Sequence, residues 1–307
     1  MTIINILLNQ DPVIQRLTRK YLLDQNEPYS TSGYIARYLA LYDSTKHLWG
    51  NGVYGPKWIS THYTMLELKY MEIDPNNPIY QDALTTLLNH EWKENALYHK
   101  RMHLDMCIVG MLLSLSTYGK RMDERINGMI DYILSHIMND GGWNCAWERK
   151  PFPKISSVHT TLSILEGLRD YQKHGYRYRI DEVTSAINNG IETLIKRNLY
   201  QAHQTKEPIH PVMMKSSYPP RWKYDILKVL EFLESIKYPL DPRMNDAIEI
   251  IIHSLKGPFM PKGTQISGLI HFKLEEGNYG MFNTFRALKV LKFYQPSFYE
   301  KFINIEV

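Results

Sequence analysis

Cys107-Ile108-Val109-Gly110-Met111-Leu112-Leu113-Ser114-Leu115 has no charged residue and would be apolar on most faces of a helix. A helix of that kind belongs in the interior, whereas a helix with one apolar stripe belongs at the surface of a core. The next periodic segment, which contains Asp123-Glu124-Arg125, carries its charges on one side. The same alternation runs along the chain. Segments starting near 59, 105, 156, 222 and 282 are apolar on most faces, and those near 80, 121, 181 and 242 are amphipathic. Strict alternation of inner and outer helices is what concentric α-hairpins produce, so an all-α α/α toroid of five to six hairpins around a central cavity is expected. The inner starts are unevenly spaced, which suits a closed irregular ring better than an open solenoid of fixed repeat.

Period-3.6 patterning predicts helices over 12–23, 33–41, 59–72, 80–91, 105–118, 121–138, 156–171, 181–197, 222–236, 242–255 and 282–294, while period-2 alternation is nearly absent. Connectors such as Asp74-Pro75-Asn76-Asn77-Pro78 and Asp140-Gly141-Gly142 carry helix-ending punctuation. No Ser/Gly-rich linker divides the 307 residues. One domain is therefore expected over 1–307, with a helical extension at 1–45.

Composition narrows the function classes. With 44% hydrophobic and 22% charged residues, the chain is neither disordered nor collagen-like. Its 36 basic and 32 acidic residues leave a net charge of only +4, and no Lys/Arg run exceeds two residues, so no nucleic-acid partner is expected. No stretch reaches the ~20 apolar residues of a membrane span. The apolar Ile3–Leu8 segment lacks a basic leader, so it does not read as a signal peptide. Two cysteines, Cys107 and Cys145, cannot form a disulfide framework and fit a reducing compartment. A cytoplasmic location is expected.

An internal repeat points to a cavity. Ser60-x-His62-x-Thr64 matches Ser157-x-His159-x-Thr161, each followed by a Leu four residues on, and Asp105-Met106-Cys107 can be laid at the same depth of the intervening inner helix. On that register His62, Asp105 and His159 converge. Trp143, Trp222 and Tyr224 fall at the starts of inner helices or in the turns before them, and Asp225 stands beside them. They could line a pocket for an apolar ligand, with Asp225 supplying an acid or a hydrogen bond. The plainer reading is that these aromatics fill the core.

Asp140-Gly141-Gly142-Trp143-Asn144-Cys145, followed by Ser156-Ser157-Val158-His159-Thr160-Thr161 and the apolar run to Leu168, resembles the terpenoid cyclase and protein prenyltransferase superfamily. The resemblance implies an α/α toroid and a prenyl-type or other apolar small-molecule ligand. It also implies a zinc ion on an Asp-x-Cys pair and a later His, here Asp105, Cys107 and His159. It places Arg101 and Lys100 where the family holds a diphosphate, and it raises a second subunit, because prenyltransferase β subunits pair with an α subunit. The Asp-rich motifs D-x-D-D and D-D-x-x-D of the two cyclase chemistries are absent.

Carboxylate, thiolate and imidazole suit zinc and leave a fourth position for water or a substrate thiolate. Residues two apart on a helix point ~200° away from each other, so Asp105 can share a metal with Cys107 only from the N-cap or before it, a place its residue type favours. If Asp105 merely caps, Cys145 is the alternative third ligand. The plainer reading makes Cys107 a core residue beside Ile108 and Met111. Gly50-Asn51-Gly52-Val53-Tyr54-Gly55 matches a dinucleotide motif literally, but no strand precedes it, and it reads as a flexible turn. His90-Glu91 lacks the second His of a zinc-protease motif. The expected function is a prenyltransferase-like or terpene-cyclase-like enzyme. The alternatives are a non-catalytic ligand- or peptide-binding toroid and a carbohydrate-processing toroid enzyme.

Overall fold

The computed structural model describes residues 1–92, 104–264 and 267–306. Among them are thirteen α-helices and no β-strand, only isolated bridges. The chain forms two compact units that interleave along the sequence. None of the described helices is long and apolar enough to cross a membrane.

The unit made of 42–69 and 75–196 contains α4 (Thr61–Tyr70, to Lys69), α5 (Pro78–Glu91), α6 (Met106–Tyr118), α7 (Arg125–Ser135), α8 (Val158–Lys173) and α9 (Ile180–Ile195). Its helices alternate as their apolar patterns predict. All residues from Thr61 to Leu68 of α4 and from Ile108 to Thr117 of α6 are buried. By contrast α7 buries only the stripe Ile126, Met129, Ile130, Tyr132 and Ile133. Each Leu, Ile or Met so buried contributes roughly 1.5–3 kcal/mol. The closest packing is between α6 and α8. A Cβ on Gly110 would lie 2.5 Å from the Ser163 carbonyl oxygen, and one on Gly167 would lie 2.6 Å from the Gly110 carbonyl oxygen. Only glycine lets the two backbones meet there.

At the C-terminal end of this helix pair, Asp170 is buried and accepts from Ser114 at 2.6 Å, with Lys69 and Arg169 each 2.8 Å away. Burial alone would raise this carboxyl, but Arg169 and Lys69 hold it well below the ordinary range. The charges are thereby paired, as buried charges must be.

The second unit comprises 1–41, 70–74 and 197–307. It contains α1 (Ile3–Leu7), α2 (Pro12–Leu22), α3 (Tyr34–Leu39), α10 (Ile226–Ser235), α11 (Asn245–Ser254), α12 (Met281–Tyr294) and α13 (Pro296–Ile303). Here α10 and α12 are the deeply buried helices, and α12 packs on α2, α10 and α13. Helix starts follow the sequence signals. Asp11 accepts from the Val13 N–H with Pro12 at the first helical position, and Asp225 accepts from the Lys228 N–H at 2.8 Å. The cap at Asp225 explains why the helix expected from 222 begins at Ile226. The short α1 and α13 escape a periodicity reading because one or two turns carry too few apolar repeats.

Candidate functional site

Three deeply buried helices of the unit made of 42–69 and 75–196 begin with residues that carry chemistry. At the start of α6, Asp105 is the N-cap, as expected. Its side chain caps no backbone N–H of the helix, and Arg149 Nη2 lies 3.3 Å from its carboxylate. Cys107 sits in the first turn. The Cys107 N–H donates to Cys145 Sγ at 3.2 Å, and the Thr160 hydroxyl of α8 donates to the same sulfur at 3.3 Å. The Cys145 N–H returns a 3.3 Å bond to Thr160 Oγ1, which fixes that hydroxyl between backbone and sulfur.

Each thiol shifts the proton affinity of the other. The neighbouring Cys145, together with burial, pushes Cys107 up. The Cys107 side chain, helped by Thr160 and the Cys107 N–H, draws Cys145 down, against burial and the charge of Asp105. Both cysteines are half-buried.

At the start of α4, His62 is fully buried and its Nδ1 lies 3.0 Å from both carboxylate oxygens of Glu91, the last residue of α5. A carboxylate can only accept, so Nδ1 carries the hydrogen. His62 Nε2 is enclosed and has no hydrogen-bond partner among the described residues. Around the imidazole stand Tyr54 at 5.3 Å and Tyr63 at 5.1 Å between ring centroids, with Trp58 packed edge-on against Tyr63. Tyr63 donates to the Tyr54 hydroxyl at 3.0 Å. The Tyr54 phenol is pushed far above its ordinary value by burial and by Tyr63, and further by Cys107 and Glu91. It therefore stands within electrostatic reach of both the thiol pair and the His–Glu dyad.

The turn that carries Tyr54 is not loose. Gly52 and Val53 carbonyls accept the Thr61 and His62 N–H groups, and a Cβ on Gly50, at φ +59°, would strike the Ile59 carbonyl at 2.1 Å. The glycine spacing serves a turn pinned to the start of α4, where a flexible one was expected.

The remaining expected residues are placed as follows. Trp143 is fully buried, donates its indole N–H to the Ile133 carbonyl at 2.9 Å and its backbone N–H to Thr161 Oγ1 at 3.1 Å. His159 is the second residue of α8 and half-buried; its neighbour Thr160 is the one that meets Cys145. Tyr224 and Asp225 are buried in the other compact unit. Tyr224 donates to the Leu199 carbonyl, and Asp225, pushed up by burial, caps α10 and accepts the Ser217 N–H. Trp222, half-buried, precedes them in that unit. Arg101 and Lys100 lie outside the described residues. Among the described residues, no group of three or more His, Cys, Asp or Glu side chains is placed to hold a metal ion.

The hydrogen bonds also set the register of the repeat. Thr61 accepts the N–H of the buried Trp49, Thr161 that of the buried Trp143, and Thr284 of the other unit that of the buried Met260. Thr61 therefore corresponds to Thr161, one helical turn away from the sequence match of Thr64 with Thr161. Ile59, not His62, takes the position of His159. Glu91 appeared in the sequence only in an incomplete His-Glu motif and Tyr54 only inside the glycine turn, and Cys145 had only its place as a substitute ligand.

Compared with protein-family models, curated proteins and solved structures, the chain matches none.

Proposed function

We propose that the α4–α6–α8 helix starts of the 42–196 unit form the active centre of an enzyme, with His62 as its general base and Glu91 as the group that orients it. The observation that carries this reading is the buried Nε2 of His62, without a hydrogen-bond partner among the described residues, opposite a doubly held Nδ1. An unsatisfied buried acceptor costs about 1–3 kcal/mol, and such groups are retained where they act. A carboxylate behind the imidazole fixes the tautomer and stabilises the proton that Nε2 would take up.

The rings of Tyr54, Tyr63 and Trp58 favour a substrate that is apolar and passes through positive charge, because aromatic faces attract cations. A prenyl-type ligand in an α/α toroid has both properties, and the alternation of buried and one-faced helices supports that architecture. In this reading the rings bind the hydrocarbon and stabilise developing charge, and His62 removes the proton that ends the reaction or activates the incoming nucleophile.

Calorimetric titration with farnesyl diphosphate and farnesol, with product analysis, tests this. Saturable binding is expected in the wild type and in His62→Gln. Turnover in His62→Gln should fall on the order of 10²–10⁴-fold, the usual worth of a positioned base. Unchanged turnover would remove His62 from the chemistry, and absence of binding by either compound would remove the prenyl ligand. Zinc on Asp105, Cys107 and His159 is tested separately by the metal content of chain purified without a His tag. One zinc per chain, lost in Cys107→Ala and His159→Ala, would support it.

A further inference from the structure

We propose that Cys145 and Cys107 form a reversible oxidation site, in which the Cys145 sulfur attacks a small hydroperoxide and Cys107 then closes a disulfide. The juxtaposition carries this. The only two cysteines of the chain stand 38 residues apart and meet across the start of α6, where one sulfur gathers the donors. Cys145 Sγ accepts the backbone N–H of Cys107 and the hydroxyl of Thr160. Donors on a sulfur, together with the first turn of a thirteen-residue helix, favour its thiolate form, the nucleophile of thiol chemistry. The second thiol belongs to the residue whose backbone already meets that sulfur. Half-burial of both side chains admits a small reagent more readily than a large one.

The steps balance. The Cys145 thiolate attacks the distal oxygen of the hydroperoxide, forming an S–O bond as the O–O bond breaks, and the alkoxide or hydroxide leaves with a proton. Cys145 is then a sulfenic acid and the peroxide has been reduced. Cys107 attacks that sulfur, the S–S bond forms, the S–O bond breaks, and the Cys107 proton leaves with the hydroxide as water. A dithiol reductant restores both thiols. This site stands independently of His62, since neither step uses the imidazole.

The experiment treats the reduced full-length chain with hydrogen peroxide and reads intact mass and non-reduced peptide maps. Expected is loss of two hydrogens, with the Cys107 and Cys145 peptides joined, reversed by dithiothreitol. In Cys107→Ser, dimedone should label Cys145, while in Cys145→Ser the labelling of Cys107 should be about tenfold slower or less. Thr160→Val keeps both thiols and the helix packing, so it reports even where a serine variant folds poorly. It should slow disulfide formation roughly threefold or more. Equal labelling of the two cysteines, an unaffected rate in Thr160→Val, sulfinic acid on Cys145 with Cys107 still free, or zinc holding both thiols against peroxide would each overturn the proposal.

Discussion

The starts of α4, α6 and α8 and the start of α12 are built by the same helix-on-helix logic, yet they bury opposite kinds of chemistry. Around α12 the buried groups are formal charges, each carboxylate with its own donors. Arg286 reaches Glu231 at 2.7 Å, the Ser217 carbonyl at 3.0 Å and Asn283 Oδ1 at 2.9 Å. Glu275 accepts the N–H groups of Met281 and Asn283, and Asn283 in turn ties the Ser216, Pro261 and Lys262 carbonyls. That arrangement clamps loops onto a helix. Around α4, α6 and α8 the groups are two thiols, an imidazole and phenols, which can be buried at less cost and keep reactivity in reserve. Charge fastens the start of α12, whereas the starts of α4, α6 and α8 hold polarisable groups and one buried carboxylate, Glu91, with a cluster of ion pairs in that unit set at the far end around Asp170.

The sharpest way to break this comparison is to cut the clamp. Arg286→Met leaves Glu231 without its buried partner and should cost about 3–5 kcal/mol in denaturant unfolding. A loss under about 1 kcal/mol would mean that the network does not fasten the unit.

The second effect is a pH dependence. Burial pushes the Glu275 carboxyl up to about 7, although the backbone N–H groups and Arg286 pull it down. A carboxyl raised in the folded state stabilises folding fully below its unfolded value near 4.5. That contribution is lost as pH rises through about 7, and it amounts to at most about 3 kcal/mol. Glu275→Gln should flatten the fall in stability between pH 5 and 8, as read from midpoints of urea unfolding across that range, with roughly the same midpoints at the acid end. An unchanged slope would assign the dependence to other groups.

The smallest effect belongs to the reactive end. His62→Phe strands Glu91 and should cost roughly 1–3 kcal/mol, whereas the double replacement His62→Phe with Glu91→Leu removes both partners and should return to within about 1 kcal/mol of the wild type. A double variant far less stable than either single would show that the dyad is structural after all.

Much of the fold was legible because helical periodicity is a local property. The uninterrupted apolar run from Ile108 to Leu115 already implied a helix buried on all sides, and Asn77-Pro78 and Asp11-Pro12 marked helix starts through their own capping chemistry, while Asp105 marked one by position alone. The site was legible only in fragments. His62, Cys107 and Asp105 stand at inner-helix starts as expected, but the repeat that aligned His62 with His159 was read one turn out of register. Four residues of shared pattern cannot outweigh the hydrogen bonds that seat Thr61 and Thr161 under Trp49 and Trp143.

By itself the sequence determined the alternation of interior and one-faced helices, the turns between them and which residue types stand at their ends, because each follows from neighbours within a turn or two. Only the tertiary structure decided that Glu91 holds His62 across 29 residues and that Cys145 meets Cys107 across 38. Those partnerships depend on how closely α6 and α8 approach at Gly110 and Gly167 and on how the turn before α4 is pinned. Packing of this kind is a property of the assembled unit, and no single stretch of the chain encodes it.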